Sequence, residues 1–414
     1  MRIVYHCQDI VGARMAGPGI RAVELARRLA KHHEVTLVAP GAETLAGEPF
    51  QAGALSSLSK ADAFIAQGFG FRIDHLLRFK GRLVLDLYDP VQLEQLARFG
   101  PAATDDERLS LAMVRRRLKY LIGRADHVLC ASQPQRALWL GWLGACGRLD
   151  PEALLGDPEA RKLLAVVPFG LPESPPARSG TPLRAAIGAG SEDRVAFWAG
   201  GLWDWMDPAL AVRAAALAQQ QVPRFRLALL AGLRPGDATI RMTAAASEAR
   251  AAAGPGVHFV DQWVPYDERG AWLLDADLAV SAHKPSLEAE LAFRSRLLDC
   301  LWAALPAACT SGDVLAAEGD RQGWARTAPP GDAAGLAAAM IALCDPQQNE
   351  RARAAARAAA ATRTWQHSAD VLLALLDGAA PERQRISRAP ALAAAFTRKA
   401  ARKIAKKLSG KREL

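Results

Sequence analysis

Two arginines stand two residues apart in the segment AFRSR, and their side chains are suited to phosphate binding. Arg294 and Arg296 each carry a planar guanidinium group that can donate two parallel hydrogen bonds to a phosphate. Such groups can neutralise the charge that grows on a phosphate as it leaves. We expect Arg294 to make the principal contact and Arg296 to assist it. The alternative is a pair of ordinary surface arginines.

A second candidate pair follows the apolar run LAVSA. His283 and Lys284 come directly after this predicted strand, so we expect them at the carboxyl edge of a parallel sheet, where they would assist the arginines.

The first apolar run leads into a turn rich in glycine, DIVGARMAGPGIRAVELARRLA. Gly17 and Gly19 allow a ligand to approach the backbone, and the residues from Gly19 to Arg21 open a predicted helix whose free N–H groups favour an anion. The glycine spacing departs from GxGxxG, and no acidic residue ends the second strand, so a dinucleotide is disfavoured. The turn predicts a phosphate-bearing ligand. The alternative is a tight strand-to-helix turn without a ligand.

Tryptophans are concentrated in the segment FWAGGLWDWMDP. Gly201 lets the backbone approach a ligand, while Trp203 or Trp205 can stack on a base or on a sugar face. Core packing is the alternative role for these tryptophans. Asp207 followed by Pro208 predicts the start of a helix, with Asp207 as its N-cap.

Acidic residues suggest two further sites. Asp89, with Glu94 as its substitute, follows a predicted strand and can accept a hydrogen bond from a hydroxyl group, although Asp-Pro is also ordinary turn chemistry. Asp275 and Asp277 form a DxD pattern, which can hold a divalent ion. Here the pattern leads into a strand, where an acidic residue can simply end a helix. We therefore expect no metal and no other cofactor.

The elements that must position these residues alternate along the chain. A length of 414 residues, of which 50% are hydrophobic and 23% charged, predicts two or three globular domains and excludes collagen, a coiled coil and a largely disordered chain. Short β-rich runs separated by helical patterns indicate parallel sheets covered on both faces. A segment rich in Pro, Gly and Ser separates two such halves. We expect an α/β fold of two doubly wound Rossmann-like domains across a cleft that holds the ligand.

The apolar runs predict strands at residues 2–7, 34–40, 61–68, 82–88, 125–132 and 164–168 in the first half. The linker is predicted at 168–193 and further strands at 194–198, 225–231, 257–260, 277–282 and 307–310.

The excess positive charge of the chain lies in its last 32 residues. Residues 383–414 contain eleven lysines and arginines and one acidic residue, whereas the formal net charge of the whole chain is +9. The segment APALAAAFTRKAARKIAKKL predicts a basic amphipathic helix, and we expect it to bind an anionic membrane surface. A solvated disordered tail is the alternative. Nucleic acid is disfavoured, since Phe396 is the only aromatic residue available for stacking.

The rest of the sequence indicates a protein of the cytoplasm. No apolar run approaches the roughly 18 residues of a spanning helix, and MRIVYHC reads as a strand rather than a leader peptide. The six cysteines form no CxxC pair, which predicts free buried thiols.

Taken together, GPGIRAVELARRLAKHHEVTLVAP, VVPFGLP, DADLAVSAHKP and LAFRSRLLDCLWAALP resemble the two-domain GT-B glycosyltransferases, close to retaining family 4 (glycosyl transferases group 1). The resemblance covers about residues 1 to 345. The last segment is similar to the donor-site block EGFGLPLLEAMACGLP, with Asp299 on its second glutamate. The resemblance implies that Asp299 holds the ribose hydroxyls of a nucleotide.

The chain also departs from this family pattern. The first glutamate of the block falls on Leu291, so Glu290 or Glu288 would have to replace its contact to the sugar. The family often carries an Arg and a Lys after the first strand of the second domain, where this chain has Gly-Gly-Leu-Trp. The positive charge would then have to come from Arg294 and Arg296.

The resemblance implies a retaining, metal-independent glycosyltransferase of the hexosyltransferase type, which moves a sugar from a nucleotide diphosphate sugar to a cell-envelope polysaccharide or glycolipid. It implies an acceptor-side domain at 1–172, a donor domain at 173–365 and C-terminal helices with the basic tail at 366–414. We expect the protein to be peripheral at the inner face of the membrane. Two alternatives remain: a non-catalytic paralogue that recruits other proteins to the membrane, and a sugar-nucleotide epimerase, which would need in-line acid and base carboxylates.

Overall fold

The computed structural model describes residues 1–68, 70–100, 102–232 and 243–378. The described residues form strands and helices in alternation. The strands are β1 (Arg2–His6), β2 (Glu34–Val38), β3 (Gln51–Ala52), β4 (Ala63–Gln67), β5 (Arg82–Asp86), β6 (His127–Cys130), β7 (Leu164–Val166), β8 (Arg194–Trp198), β9 (Phe225–Leu230), β10 (Val257–Val260), β11 (Leu278–Ser281), β12 (Ala307–Thr310) and β13 (Ala325–Ala328).

The helices lie between and after these strands. They are α1 (Gly17–Leu29), α2 (Asp74–Leu77), α3 (Val91–Phe99), α4 (Asp105–Arg124), α5 (Gln133–Ala145), α6 (Pro151–Leu154), α7 (Pro182–Ile187), α8 (Pro208–Gln221), α9 (Ala244–Ala251), α10 (Arg269–Leu274), α11 (Leu287–Leu291), α12 (Ser295–Trp302), α13 (Val314–Gln322), α14 (Ala333–Cys344), α15 (Pro346–Ala360) and α16 (Trp365–Asp377). Among the described residues, no helix is both long and apolar enough to cross a membrane.

The strands form two parallel sheets of the same topology. The first sheet has the order β3-β2-β1-β4-β5-β6-β7, and the second has the order β10-β9-β8-β11-β12-β13. In each sheet the order reverses beside the first strand, between β1 and β4 and between β8 and β11. A crevice opens at such a point outside the carboxyl ends of the strands, and ligands of doubly wound sheets bind there. The predicted α/β fold with two Rossmann-like sheets is therefore confirmed.

Burial explains why the apolar runs form these strands. Every residue of β4, AFIAQ, is buried, as expected of a parallel strand with helices on both faces. Ladder pairs such as Val4 opposite Phe64 hold the register of β1 and β4. Two strands were not predicted: β3 has only two residues, both exposed, and β13, ARTA, lacks a branched apolar pattern.

The linker and the last helix connect the two sheets. The predicted linker contains one short helix, α7, and Leu171 within the linker donates a backbone hydrogen bond to Arg363 at 2.6 Å. Helix α16 then packs against α1, and Arg82 at the start of β5 donates to the carbonyl of Leu375 at 2.7 Å. Helix α16, the last described helix, thus packs on the domain that contains the first sheet. The basic tail, residues 383–414, lies outside the described residues.

Candidate functional site

Two adjoining cavities lie between the sheets, at the carboxyl ends of their strands. One has a volume of about 600 Å³, and we call it the aromatic cavity; its lining includes Phe169, Phe197, Trp203, Trp263, Trp272 and Asp299. The other has a volume of about 650 Å³, and we call it the acidic cavity; its lining includes Asp9, Asp86, Asp89, Glu94, Glu288 and Arg294. Gly17, Trp203, Ser295 and Arg296 are among the residues that line both.

The junction of the cavities brings together the glycine turn and the arginine segment. Helix α1 begins at Gly17, helix α12 begins at Ser295, and a Cβ built on Gly17 would lie 3.5 Å from Ser295 Oγ. The free N–H groups at a helix start favour an anion. Gly19 has a different role: a Cβ there would lie 2.5 Å from the carbonyl oxygen of Ile10, so this glycine lets α1 pack on the loop after β1.

Arg296 lies at this junction, against the loop that follows β8. A Cβ built on Gly200 would lie 3.2 Å from Arg296 Cζ, and Arg296 Nη2 donates to the carbonyl of Gly201 at 3.2 Å. Nη1 is buried and has no hydrogen-bond partner among the described residues. Burial, and then the charge of Arg294, lower the pKa of Arg296 to about 10, which leaves it cationic at neutral pH. A partly buried cation with a buried, unused donor is well suited to an anion.

Arg294 lines the acidic cavity, but its terminal nitrogens are already bound. Nη1 and Nη2 donate to the two carboxylate oxygens of Glu288 at 2.9 and 2.7 Å, and both side chains are buried. Nε alone among these nitrogens lacks a hydrogen-bond partner within the described residues. The expectation that Arg294 makes the principal phosphate contact is therefore corrected in favour of Arg296. Arg296 has the freer guanidinium group, because Arg294 is held in a two-point ion pair.

Asp299 faces the aromatic cavity from helix α12, one turn after Arg296. Its carboxylate pairs with Arg269 at 3.3 Å, and the Arg269 guanidinium lies 3.7 Å from the ring centroid of Tyr266. Burial raises the pKa of Asp299, and the positive charge of Arg269 works in the opposite direction. Its carboxylate remains partly exposed to the cavity. The pairing of Arg269 with Asp299 could not be predicted from local sequence spacing, since the two residues are 30 positions apart.

Trp203 lies beside the same loop and lines both cavities. Its indole ring stacks on Trp205 with a centroid separation of 5.6 Å and an interplanar angle of 8°. A Cβ built on Gly201 would lie 2.9 Å from the Trp203 ring, so this glycine makes room for the indole. The predicted helix start after this loop is confirmed: the Asp207 side chain accepts a hydrogen bond from the backbone N–H of Leu210 at 2.9 Å and caps α8.

Asp89 and Glu94 form a pair of carboxyl groups in the acidic cavity. They share a hydrogen bond, and burial is the largest cause that raises the pKa of each. The neighbouring charge of Asp89 raises the pKa of Glu94 further. Two interacting carboxyl groups of this kind favour a state that retains one proton between them.

The Arg21 side chain is buried in the first domain and is absent from the lining of both cavities. Its Nε and Nη2 donate to the two carboxylate oxygens of Asp86 at 2.8 and 2.9 Å, and both side chains are 0% exposed. Tyr5 donates a hydrogen bond to the same carboxylate at 3.1 Å. The expectation that Arg21 helps to hold a ligand is corrected: the residue follows the first turn of α1 and points into the domain.

Three other candidates are also absent from the lining of the two cavities. His283 forms a bridge with Met206 and is 2% exposed; burial lowers its pKa to about 4, so it is neutral at neutral pH. Lys284, the next residue, is exposed. Glu290 is exposed as well, because residues two apart on a helix face opposite sides and Glu288 faces inward. Neither a phosphate contact by the first two nor a sugar contact by Glu290 is supported.

The DxD acids are part of the scaffold of the second domain. Arg184 donates to Asp277 Oδ2 at 2.7 Å and through its backbone N–H to Asp275 Oδ2 at 2.8 Å. Asp277 also accepts a hydrogen bond from the backbone of Val195 at 2.7 Å. These contacts hold the start of β11 beside β8 and give both carboxylates a structural role.

No family model matches the chain, and no curated protein matches it. Among solved structures, sucrose-phosphate synthase from Thermosynechococcus elongatus shares 15% identical residues at a TM-score of 0.61, covering 91% of this chain and 98% of that chain. HepE from Anabaena, in complex with UDP-glucose, shares 17% at a TM-score of 0.61, over 90% of this chain and 99% of that chain. WaaG, a glycosyltransferase involved in lipopolysaccharide biosynthesis, shares 14% identical residues at a TM-score of 0.60, covering 91% of this chain and 100% of that chain. These likenesses show that the chain has the GT-B fold.

Proposed function

We propose that this protein transfers a sugar from a nucleoside diphosphate sugar to a hydroxyl group of an acceptor. One observation carries the proposal: Arg296, a partly buried cation with a buried, unpaired Nη1, lines both cavities where they join, as does Gly17. The aromatic cavity suits a nucleoside, and the acidic cavity suits a hydroxyl-rich ligand. A diphosphate at the junction would connect the two.

The donor would bind with its nucleoside in the aromatic cavity. Asp299 would accept hydrogen bonds from the ribose hydroxyls, and Trp203 would contact the base or the sugar. The diphosphate would meet Arg296 and the start of α1, assisted by Arg294 Nε. UDP is the first nucleotide to test, because HepE, which has the same fold, is in complex with UDP-glucose.

In the proposed step, the bond between the sugar C1 and the β-phosphate oxygen breaks, and a bond forms between C1 and the acceptor oxygen. The hydroxyl proton of the acceptor passes to the departing phosphate oxygen. Arg296 stabilises the negative charge that grows on the phosphate. We propose retention of configuration from the resemblance to family 4, since the leaving oxygen can take the proton on the same face. We propose that guanidinium groups take the place of a metal.

A panel of labelled sugar nucleotides, with and without a lipid extract, tests this function. Label that moves into a lipid or a polysaccharide supports the transferase and a cell-envelope acceptor. Binding without turnover would instead favour the non-catalytic paralogue, and a thermal-shift screen with UDP, GDP and dTDP detects that binding. If none of these nucleotides binds, the transferase, the non-catalytic paralogue and the epimerase are all contradicted.

A sugar-nucleotide epimerase is the second candidate. The Asp89–Glu94 pair favours it, since two carboxyl groups in the acidic cavity can act as acid and base. Conversion of one labelled sugar nucleotide into its epimer, without transfer to any acceptor, would establish this function in the same experiment.

Replacing Asp299 tests the nucleoside end of the site. We expect Asp299→Asn to raise the Kd for UDP by about 10-fold or more, as for a lost hydrogen bond to a charged group. Wild type should bind UDP more tightly than 2′-deoxy-UDP in calorimetry, and the variant should lose this preference. Glu290→Gln, on the preceding helix α11 and outside both cavities, is the control and should bind as wild type does. An unchanged preference in Asp299→Asn would contradict the ribose contact.

We also propose that the basic tail makes the protein peripheral at the inner face of the membrane. Deleting residues 383–414 removes eleven lysines and arginines, so we expect the truncated protein to lose sedimentation with anionic vesicles at low salt. Vesicles of neutral lipid are the control and should bind neither form. Equal sedimentation of the two forms with anionic vesicles would exclude the tail as the anchor.

A further inference from the structure

We infer that the acidic cavity is an acceptor subsite for the uncharged, hydroxyl-rich end of a sugar, and that it rejects a sugar carrying phosphate or carboxylate there. The inference rests on the proposed function for its position next to the donor phosphates. Its chemistry comes from three features of the cavity: the sign of its charge, an unused acceptor atom and a pair of stacked indoles.

The charge in this cavity disfavours an anion. Asp86 is neutralised by Arg21 and Glu288 by Arg294, each through a two-point ion pair. Asp89 and Glu94 have each other as hydrogen-bond partners, and no ion pair with a lysine or arginine is found for either among the described residues. A phosphate that entered would therefore meet carboxyl groups, and like charges brought together repel.

Arg296 does not offset this charge once a donor is bound. It lies at the junction with the aromatic cavity, where the donor diphosphate would neutralise it. Arg294 offers only Nε, since both terminal nitrogens are bound to Glu288. An anionic acceptor would thus have to compete with the donor for the same guanidinium groups.

Gln67 provides an independent sign that the ligand donates hydrogen bonds. This residue ends β4, lines the acidic cavity and is 2% exposed. Its Nε2 donates to the carbonyl of Pro18 at 3.2 Å, which fixes the orientation of the amide. Its Oε1 is buried and has no hydrogen-bond partner among the described residues. A buried acceptor of this kind requires a donor, and a sugar hydroxyl supplies one.

The stacked indoles of Trp203 and Trp205 add an apolar surface to the same cavity. Aromatic rings offer a flat apolar face next to polar groups, and the C–H face of a sugar ring is a suitable partner for it. Carboxyl and amide oxygens beside an aromatic surface match a ring whose edge carries hydroxyls and whose face is apolar. A phosphorylated ring end lacks this complementarity.

Saturation-transfer NMR on the full chain loaded with UDP tests the inference with matched sugars. The probes are methyl glucoside, methyl mannoside and fructose, each compared with glucose 6-phosphate, mannose 6-phosphate and fructose 6-phosphate. We expect at least one neutral sugar to bind at least about 10-fold more tightly than its phosphorylated partner. Asp89→Asn combined with Glu94→Gln should reduce this ratio by about an order of magnitude, and Glu290→Gln should leave it unchanged.

Three results would overturn the inference: equal or tighter binding of the phosphorylated sugars, no signal from any neutral sugar, or an unchanged ratio in the double variant that still binds UDP. The thermal-shift screen with UDP, GDP and dTDP separates this failure from failure of the proposed function. A protein that binds a nucleotide but no neutral sugar loses only the acceptor subsite, whereas a protein that binds no nucleotide loses the donor site as well.

Discussion

Replacing Arg296 with alanine is expected to lower turnover by about 10²-fold or more, the usual effect of losing one preorganised donor to a developing charge. The loss should appear in kcat, because Arg296 is proposed to bind the leaving phosphate more strongly as its charge grows. Turnover of the labelled sugar nucleotide that the wild type uses, measured at saturating donor, gives the result. Arg296→Lys should be intermediate, since it keeps the charge but not the two-point geometry.

Gly200→Ala provides a second test that leaves all charges in place. A Cβ at position 200 would lie 3.2 Å from Arg296 Cζ, in a backbone conformation with a φ of +154° that favours glycine. We expect this variant to move the guanidinium group and to lose turnover as well. A folded Arg296→Ala protein with wild-type turnover would contradict the role of this residue in phosphate stabilisation.

Replacing Arg21 with alanine is expected to lower the free energy of unfolding by about 3–5 kcal/mol, because Asp86 would remain as a buried charge without its partner. Both side chains are 0% exposed, and the pair carries two hydrogen bonds. Urea unfolding followed by tryptophan fluorescence measures the change. This effect is large beside the 5–15 kcal/mol that typically stabilises a folded protein.

A substitution on the same helix supplies the matched control for Arg21. Arg27 is 34% exposed and pairs with both Glu48 and Glu24, and Glu24 keeps Arg28 as a second partner, so Arg27→Ala should cost only about 1 kcal/mol. Combining Arg21→Met with Asp86→Leu and Tyr5→Phe should recover much of the lost stability, since an apolar cluster can replace a buried ion pair together with the hydroxyl that donates to it. A loss from Arg21→Ala no greater than that from Arg27→Ala would contradict the structural role.

The sheets could be predicted from the sequence because each buried parallel strand is an apolar run. Strands β8, β10 and β12 have the predicted bounds, and helix α8 begins at Pro208 after its predicted N-cap, Asp207. The glycine turn and the arginine segment were each predicted to bind phosphate, and the structure brings them together, since Gly17 lies beside Ser295. Strand β13 could not be predicted, since ARTA pairs with β12 without an apolar pattern of its own.

The partners of charged side chains could not be predicted in the same way. Arg21 and Asp86 are 65 residues apart, and Arg269 and Asp299 are 30 apart, so no local spacing shows either pair. Glu288 and Arg294 are near in sequence, yet whether Arg294 binds a ligand or Glu288 depends on the turn between α11 and α12. Tertiary packing decides which cations remain available to a ligand.

The central proposal is that Arg296 binds a diphosphate at the junction of the two cavities. Calorimetry with UDP and uridine, on wild type and on Arg296→Ala, tests it most directly. We expect UDP to bind wild type much more tightly than uridine does, and the variant to lose most of this advantage while its affinity for uridine is unchanged. An equal advantage of UDP over uridine in the two proteins would contradict the proposal.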